Sequence, residues 1–166
     1  MKRIIEPLEK MGARVKSNDG CLPLEITGGN LKPIKYESSL SSAQVKSSVL
    51  FAGLYADGIT EYLEPYKSRD HTERMLKSFG SDVETKEGVV TVRGTASLEA
   101  SEVFVPGDIS AAAFFIVAAT IVKPRIKYGA KLKIKNVGIN PTRTGIIDIL
   151  TRMGGKISIE NERLLN

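Results

Sequence analysis

Three stretches of this chain repeat one another without gaps: Lys2–Gly12 (KRIIEPLEKMG), Asp70–Gly80 (DHTERMLKSFG) and Thr144–Gly154 (TGIIDILTRMG). Each sets a leucine (Leu8, Leu76, Leu150) three places before a large apolar residue (Met11, Phe79, Met153), and a glycine follows at once. Three residues past the glycine stands a β-branched residue: Val15, Val83 or Ile157. An internal repeat constrains the fold more than local propensity does, because every copy is one supersecondary unit. Apolar residues at i, i+3 and i+4 predict an amphipathic helix, and glycine suits its left-handed C-cap. The β-branched residue then opens a strand beyond a tight turn. Pro7 is the local exception, since an interior proline removes a backbone hydrogen bond and costs about 3 kcal/mol. A kink is expected there.

A second set of repeats lies between the first. Ser42-Ala43-Gln44 opens a helix predicted to run to about Tyr55, and Ser110-Ala111-Ala112 opens one to about Ile121. The serines are 68 residues apart, as are Gly12 and Gly80. A strand is expected after each helix, Ile59–Leu63 and Leu132–Asn136, followed by a proline turn with a Ser/Thr-Arg pair. Those pairs are Ser68-Arg69 after Pro65 and Thr142-Arg143 after Pro141. Leu22–Thr27, Val89–Arg93 and Glu102–Val105 read as further strands, and Val105-Pro106-Gly107-Asp108 as a strand-to-helix junction suited to a crossing between lobes. The pattern is an α/β repeat with a period near 70 residues, one whole copy between two partial ones.

Composition narrows the classes. With 42% hydrophobic and 26% charged residues, the chain is too apolar for disorder and too charged for a membrane protein. Its longest apolar run, Ile109–Val122, falls short of the roughly 18 residues of a spanning helix and predicts a buried one. Met1-Lys2-Arg3 leads into Glu6 and Glu9, so no signal peptide is expected. The lone Cys21 cannot form an intramolecular disulfide, which fits a reducing cytoplasm. A net charge of +5 suits anionic ligands or nucleic acid. The densest basic stretch, Lys123 to Lys135, reads as a solvated loop leading into a strand, with no zinc-finger or RNA-binding spacing beside it.

Taken residue by residue, the candidate sites have plain structural readings beside functional ones. Ser42 can cap a helix whose free N–H groups and dipole favour phosphate. Ser38, Ser39 and Ser41 cluster with it. Arg69, at another helix start, could hold phosphate bidentately or pair with Asp70. His71 reads as surface, Asp108 as an acid at a helix N-terminus, and Arg143 as one half of a structural salt bridge. Metal-ligand spacing, a P-loop and a Cys-His pair are absent from the sequence.

Longer matches in order resemble one family over the whole chain. Ser42-Ala43-Gln44-Val45-Lys46-Ser47, Glu64-Pro65, Ser68-Arg69-Asp70-His71-Thr72-Glu73-Arg74-Met75-Leu76, Pro106-Gly107-Asp108-Ile109-Ser110 and Gly138 through Gly145 are similar to the EPSP synthases, in the spelling of the bacterial branch often called class II. The resemblance implies a two-lobed enolpyruvyl transferase fold of repeated βαβαββ units, an inside-out α/β barrel, here incomplete. It implies residues 1–105 in the N-terminal lobe, 106–166 in the C-terminal lobe, and a hinge near 105–107. The activity implied is transfer of the enolpyruvyl group of phosphoenolpyruvate to the 5-hydroxyl of shikimate 3-phosphate, with release of phosphate, in aromatic amino acid biosynthesis.

Carried over by position, Ser42, Ala43, Gln44 and Arg69 match residues that hold shikimate 3-phosphate, and Gln44 also reaches toward phosphoenolpyruvate. The catalytic acid and base of the family have no counterpart between Met1 and Asn166, so the chain corresponds to a central fragment expected to be inactive alone. No metal or organic cofactor is implied, nor a nucleic acid or membrane partner. A cytoplasmic, monomeric parent is expected, with self-association of the fragment left open. Relative to the first repeat, residues 123–130 resemble a basic insertion. A UDP-sugar enolpyruvyl transferase of the same fold and a non-catalytic anion- or nucleic-acid-binding module are the alternatives.

Overall fold

The computed structural model describes residues 1–95, 97–122 and 131–164. The expected insertion at 123–130 lies outside them. The chain divides into two compact units, Met1–Ser101 and a second beginning at Glu102. No helix among the described residues is long and apolar enough to cross a membrane.

The first unit runs α1 (Lys2–Lys10), β1 (Arg14–Asn18), β2 (Cys21–Thr27), β3 (Lys35–Glu37), α2 (Ala43–Gly53), β4 (Ile59–Leu63), α3 (His71–Ser78), β5 (Val83–Lys86) and β6 (Val89–Arg93). From β3 onward the order is βαβαββ. Strands β1 and β2 pair as an antiparallel hairpin. The other four form a mixed sheet in the order β3-β4-β6-β5, with β3 parallel to β4 and the rest antiparallel. Burial alternates along its middle strands as a one-sided sheet requires: Thr60, Tyr62, Val90 and Val92 are buried, while Glu61 and Thr91 between them are not. Strand β3 has no counterpart among the expected strands.

Helix α2 lies between two apolar clusters. Val45 and Val49 join Met11, Tyr36, Ala56 and Tyr62, with Ile4 of α1 packed alongside. Leu50 joins Leu76 of α3 and Val83, Val90 and Val92 of the sheet. Each such large side chain, fully removed from water, contributes about 1.5–3 kcal/mol. The Tyr36 and Tyr62 rings, opposite each other in the β3–β4 register, stack with centroids 6.0 Å apart.

Burial pushes the hydroxyls of Tyr36 and Tyr62 above the ordinary tyrosine value of about 10. A raised value keeps the proton on the native state when the unfolded chain has lost it. Stability is therefore fully present below about pH 10 and declines as pH rises through the native values. Urea unfolding near pH 9 and pH 11 is expected to show this decline. Tyr62→Phe should flatten it, and an unchanged decline would remove Tyr62 as a source.

The three repeated helices end alike. Gly12, Gly80 and Gly154 have φ of +100°, +81° and +93°. Behind each glycine the next N–H reaches the repeated leucine carbonyl: Ala13 to Leu8 at 3.0 Å, Ser81 to Leu76 at 2.9 Å and Gly155 to Leu150 at 2.8 Å. The glycine N–H itself bonds Glu9, Lys77 or Thr151. This is a Schellman cap in triplicate, and it explains why leucine, apolar residue and glycine recur at fixed spacing. Helix α1 runs without a break through Pro7, which is buried.

The second unit holds α4 (Ile109–Ile121) and α5 (Gly145–Arg152). Three expectations change here, the first being that no strand opens at Ile157, which lies in irregular backbone. Glu102–Val105 and Leu132–Asn136 form no strand; a single parallel bridge, Gly107 with Val137, stands where a β3–β4 ladder stands in the first unit. A strand exists only through its neighbour, and neither segment pairs with one among the described residues, the bridge lying just past each. Helix α4 forms at its expected place but is not buried as expected: only Ile109 and Ala112 are, whereas Phe114 is 80% and Phe115 63% exposed. Among the described elements, α5 makes a small contact with it.

Candidate functional site

Ser42 sits at the N-cap of α2 with extended backbone, φ −138° and ψ 111°, as its position predicts. Its hydroxyl does not cap the helix. It donates to Gln44 Oε1 at 3.3 Å, and no described side chain takes the first-turn N–H groups of α2. Ser42 is buried, Ala43 half-buried and Gln44 exposed. The neighbouring serines build the approach. Ser38 Oγ donates to the Leu40 carbonyl at 2.7 Å, and Ser41 Oγ accepts the Tyr66 N–H at 2.9 Å.

The segment from Glu64 to α3 carries Arg69. Glu64 Oε1 accepts both the N–H of Ser68, at 2.7 Å, and its hydroxyl, at 3.0 Å. The same oxygen lies 3.1 Å from Lys46 Nζ, which also reaches Glu73 Oε1 of α3 at 2.8 Å. All three charged groups are buried. Ser47 and Thr72 hydroxyls meet at 2.7 Å. Arg69 itself is exposed, and no hydrogen bond or ion pair joins it to another described residue. The acid that stood as its alternative partner, Asp70, is held by Arg74 at 3.0 Å and Lys67 at 3.7 Å. His71 is exposed at the first position of α3.

The second unit repeats the arrangement with one difference. Asp108 caps α4, accepting the Ser110 N–H at 2.9 Å, and its carboxylate meets Arg143 at 3.0 Å. Arg143 also donates to Ser110 Oγ. Ser110 and Arg143 are the repeat partners of Ser42 and Arg69, and Leu40 stands where Asp108 would. The second copy thus holds a carboxylate between a helix N-terminus and an arginine. In the first, among the described residues, no side chain caps the helix at Ser42 and no acid pairs with Arg69.

Lys46 and Glu64 escaped the residue-level reading. A lysine inside Val45-Lys46-Ser47 carries no mark of burial, and its two acids lie 18 and 27 residues away.

Residues 1–165 match the family described as EPSP synthase (3-phosphoshikimate 1-carboxyvinyltransferase). A 3-phosphoshikimate 1-carboxyvinyltransferase of Geotalea daltonii is 56% identical over 165 residues, covering 98% of this chain and 37% of that one. One from Geobacillus kaustophilus is 51% identical, covering 98% and 38%. Among solved structures, EPSP synthase from Acinetobacter baumannii superposes with a TM-score of 0.86 at 48% identity, over 99% of this chain and 37% of that one. The enolpyruvyl transferase NikO from Streptomyces tendae shares the fold, with a TM-score of 0.60 at 19% identity over 72% of this chain and 31% of its own. The chain spans a little over a third of the length of these EPSP synthase relatives.

Proposed function

Because this chain belongs to the EPSP synthase family, we propose that it supplies the shikimate 3-phosphate-holding part of an enzyme that transfers an enolpyruvyl group from phosphoenolpyruvate to that substrate. The observation that carries the reading is the contrast between the two repeats. Where Arg143 and the start of α4 enclose the Asp108 carboxylate, Arg69 and the start of α2 pair with no acid among the described residues. A helix N-terminus and a guanidinium together make a strong phosphate site, the first through aligned N–H groups, the second through a bidentate fork.

In this reading Ser42, Ala43 and Gln44 hold the substrate phosphate, Arg69 closes on it, and Gln44 also reaches phosphoenolpyruvate. Residues 1–105 belong to one lobe and 106–166 to the other, with the hinge near 105–107. The division into compact units after Ser101 supports that assignment. A monomeric, cytoplasmic parent is part of the same proposal, and a lone exposed cysteine suits a reducing compartment.

The test is titration of the 166-residue chain with shikimate 3-phosphate, followed by amide and arginine side-chain NMR. Shifts are expected at Ser42–Gln44 and Arg69. Arg69→Ala is expected to weaken binding by about 1.5–3 kcal/mol, the range for a charge-assisted hydrogen bond, and Arg143→Ala to leave it unchanged. An unaltered dissociation constant in Arg69→Ala would remove Arg69 from the site. Equal shifts with a UDP-sugar would move the assignment to a different acceptor.

A further inference from the structure

Behind the proposed phosphate contacts lies a set of buried charges that those contacts do not use. Lys46 is 1% exposed and sits one turn past Ser42 on α2. Its ammonium lies 3.1 Å from Glu64 Oε1 and 2.8 Å from Glu73 Oε1. Glu64 Oε1 also takes both donors of Ser68, the residue before Arg69. One carboxylate oxygen therefore joins the first turns of α2 to the segment that presents the arginine. Glu73 ties the far end of that segment to the same lysine.

Stability alone is a poor account of this arrangement. A buried ion cluster of this kind can often be replaced by apolar side chains of similar volume without loss. Its second oxygens are also left over: Glu64 Oε2 and Glu73 Oε2 are buried with no hydrogen-bond partner among the described residues. What the charges do supply is direction. A carboxylate in a dry site fixes its donors in short, oriented hydrogen bonds, which an apolar contact does not.

We propose that Glu64, held in place by Lys46, is a positioning residue that orients Ser68 and hence Arg69 toward the N-terminus of α2. The proposal rests on the reading of Ser42–Gln44 and Arg69 as the shikimate 3-phosphate site.

Glu64→Leu tests it, because that variant leaves Lys46 and Glu73 as a one-to-one pair and should keep its urea midpoint close to that of the unaltered chain. Shikimate 3-phosphate is expected to bind it about tenfold more weakly, the worth of one charge-assisted hydrogen bond. The Arg69 side-chain response should be lost, with the Ser42–Gln44 amide responses kept. Exchange of the Ser68 N–H with solvent should quicken by about tenfold. A folded Glu64→Leu chain that binds within about twofold of the unaltered one, with the Arg69 response intact, would overturn the proposal. Should the unaltered chain bind no shikimate 3-phosphate, the site reading fails on its own, and Ser68 exchange decides the positioning role: unchanged exchange defeats it. If Glu64→Leu does not fold, Glu64→Gln keeps the volume, and the same readouts are expected to move by about threefold.

Discussion

Lys46→Met is expected to destabilise the Met1–Ser101 unit by about 3–5 kcal/mol, the cost of breaking a buried ion pair by removing one partner. Methionine fills nearly the same volume, so little of this is a cavity effect. The loss comes from Glu64 and Glu73, both buried and both relying on the one ammonium. Without it, two carboxylates share a dry site with no cation, and Glu64 must still serve Ser68. Replacing the whole cluster separates charge from packing. Lys46→Met with Glu64→Leu and Glu73→Leu is expected to recover most of the loss, because no unpaired charge then remains. Urea midpoints with unchanged m-values would measure both effects. A Lys46→Met chain within about 1 kcal/mol of the unaltered one would mean that water reaches the cluster.

Lys46 also marks where the sequence stops being informative about the site. The start of α2 was legible because an N-cap is local: Ser42 precedes an apolar helix and its backbone is extended, as that position requires. The direction of its hydroxyl was not, since Gln44 competes with the backbone for it. The Arg143–Asp108 salt bridge follows from an acid at a helix start and a basic residue in the repeat turn. For Lys46 the chemistry is non-local, and a lysine on a helix is ordinarily solvated. Only the return of the chain through Glu64 and Glu73 makes its burial possible.

The fold divides along the same line. The three Schellman caps depend on a few consecutive residues, so leucine, apolar residue and glycine predicted each helix end before any contact was known. Ile59–Leu63 was legible from its place after the helix in the repeat, and Val89–Arg93 as a run rich in β-branched residues. Strand β3 was not, because Lys35-Tyr36-Glu37 alternates over only three residues, too few to stand out as a strand. It is held by β4, through the Ile34 carbonyl accepting the Glu61 N–H and through the stacked tyrosines. Leu132–Asn136 is the converse case, a good strand pattern that forms no ladder, the one bridge falling just past it at Val137. Apolar content likewise predicted that α4 is a helix but not how much of it is covered.

Gly94→Ala should be the most damaging single methyl group in the first unit, costing more than about 3 kcal/mol, above the usual range for overpacking. A Cβ there would lie 1.7 Å from the Ala56 carbonyl oxygen and 2.6 Å from that of Gly53. Both obstacles are backbone, so no rotamer change relieves them. The surrounding bonds leave little slack: Gly94 N–H donates to the Gly58 carbonyl at 2.9 Å, and Thr95 N–H to that of Leu54 at 3.0 Å. The end of β6 is thereby clamped to the C-terminus of α2 and the turn after it. Gly53→Ala is the instructive comparison. Its Cβ would approach Val92 Cγ1 at 2.7 Å and Thr60 at 3.0 Å, both side chains. Small shifts of those two can absorb it, so about 1–3 kcal/mol is expected. Thermal and urea unfolding of the two variants should rank Gly94→Ala well below Gly53→Ala, and the reverse order would contradict the seating of α2 on β6. Because β6 is clamped to the end of α2, strain at Gly94 presses on the helix whose N-terminus carries Ser42, Ala43 and Gln44. A Gly94→Ala chain that still folds should therefore also bind shikimate 3-phosphate more weakly, although residue 94 touches no part of the site.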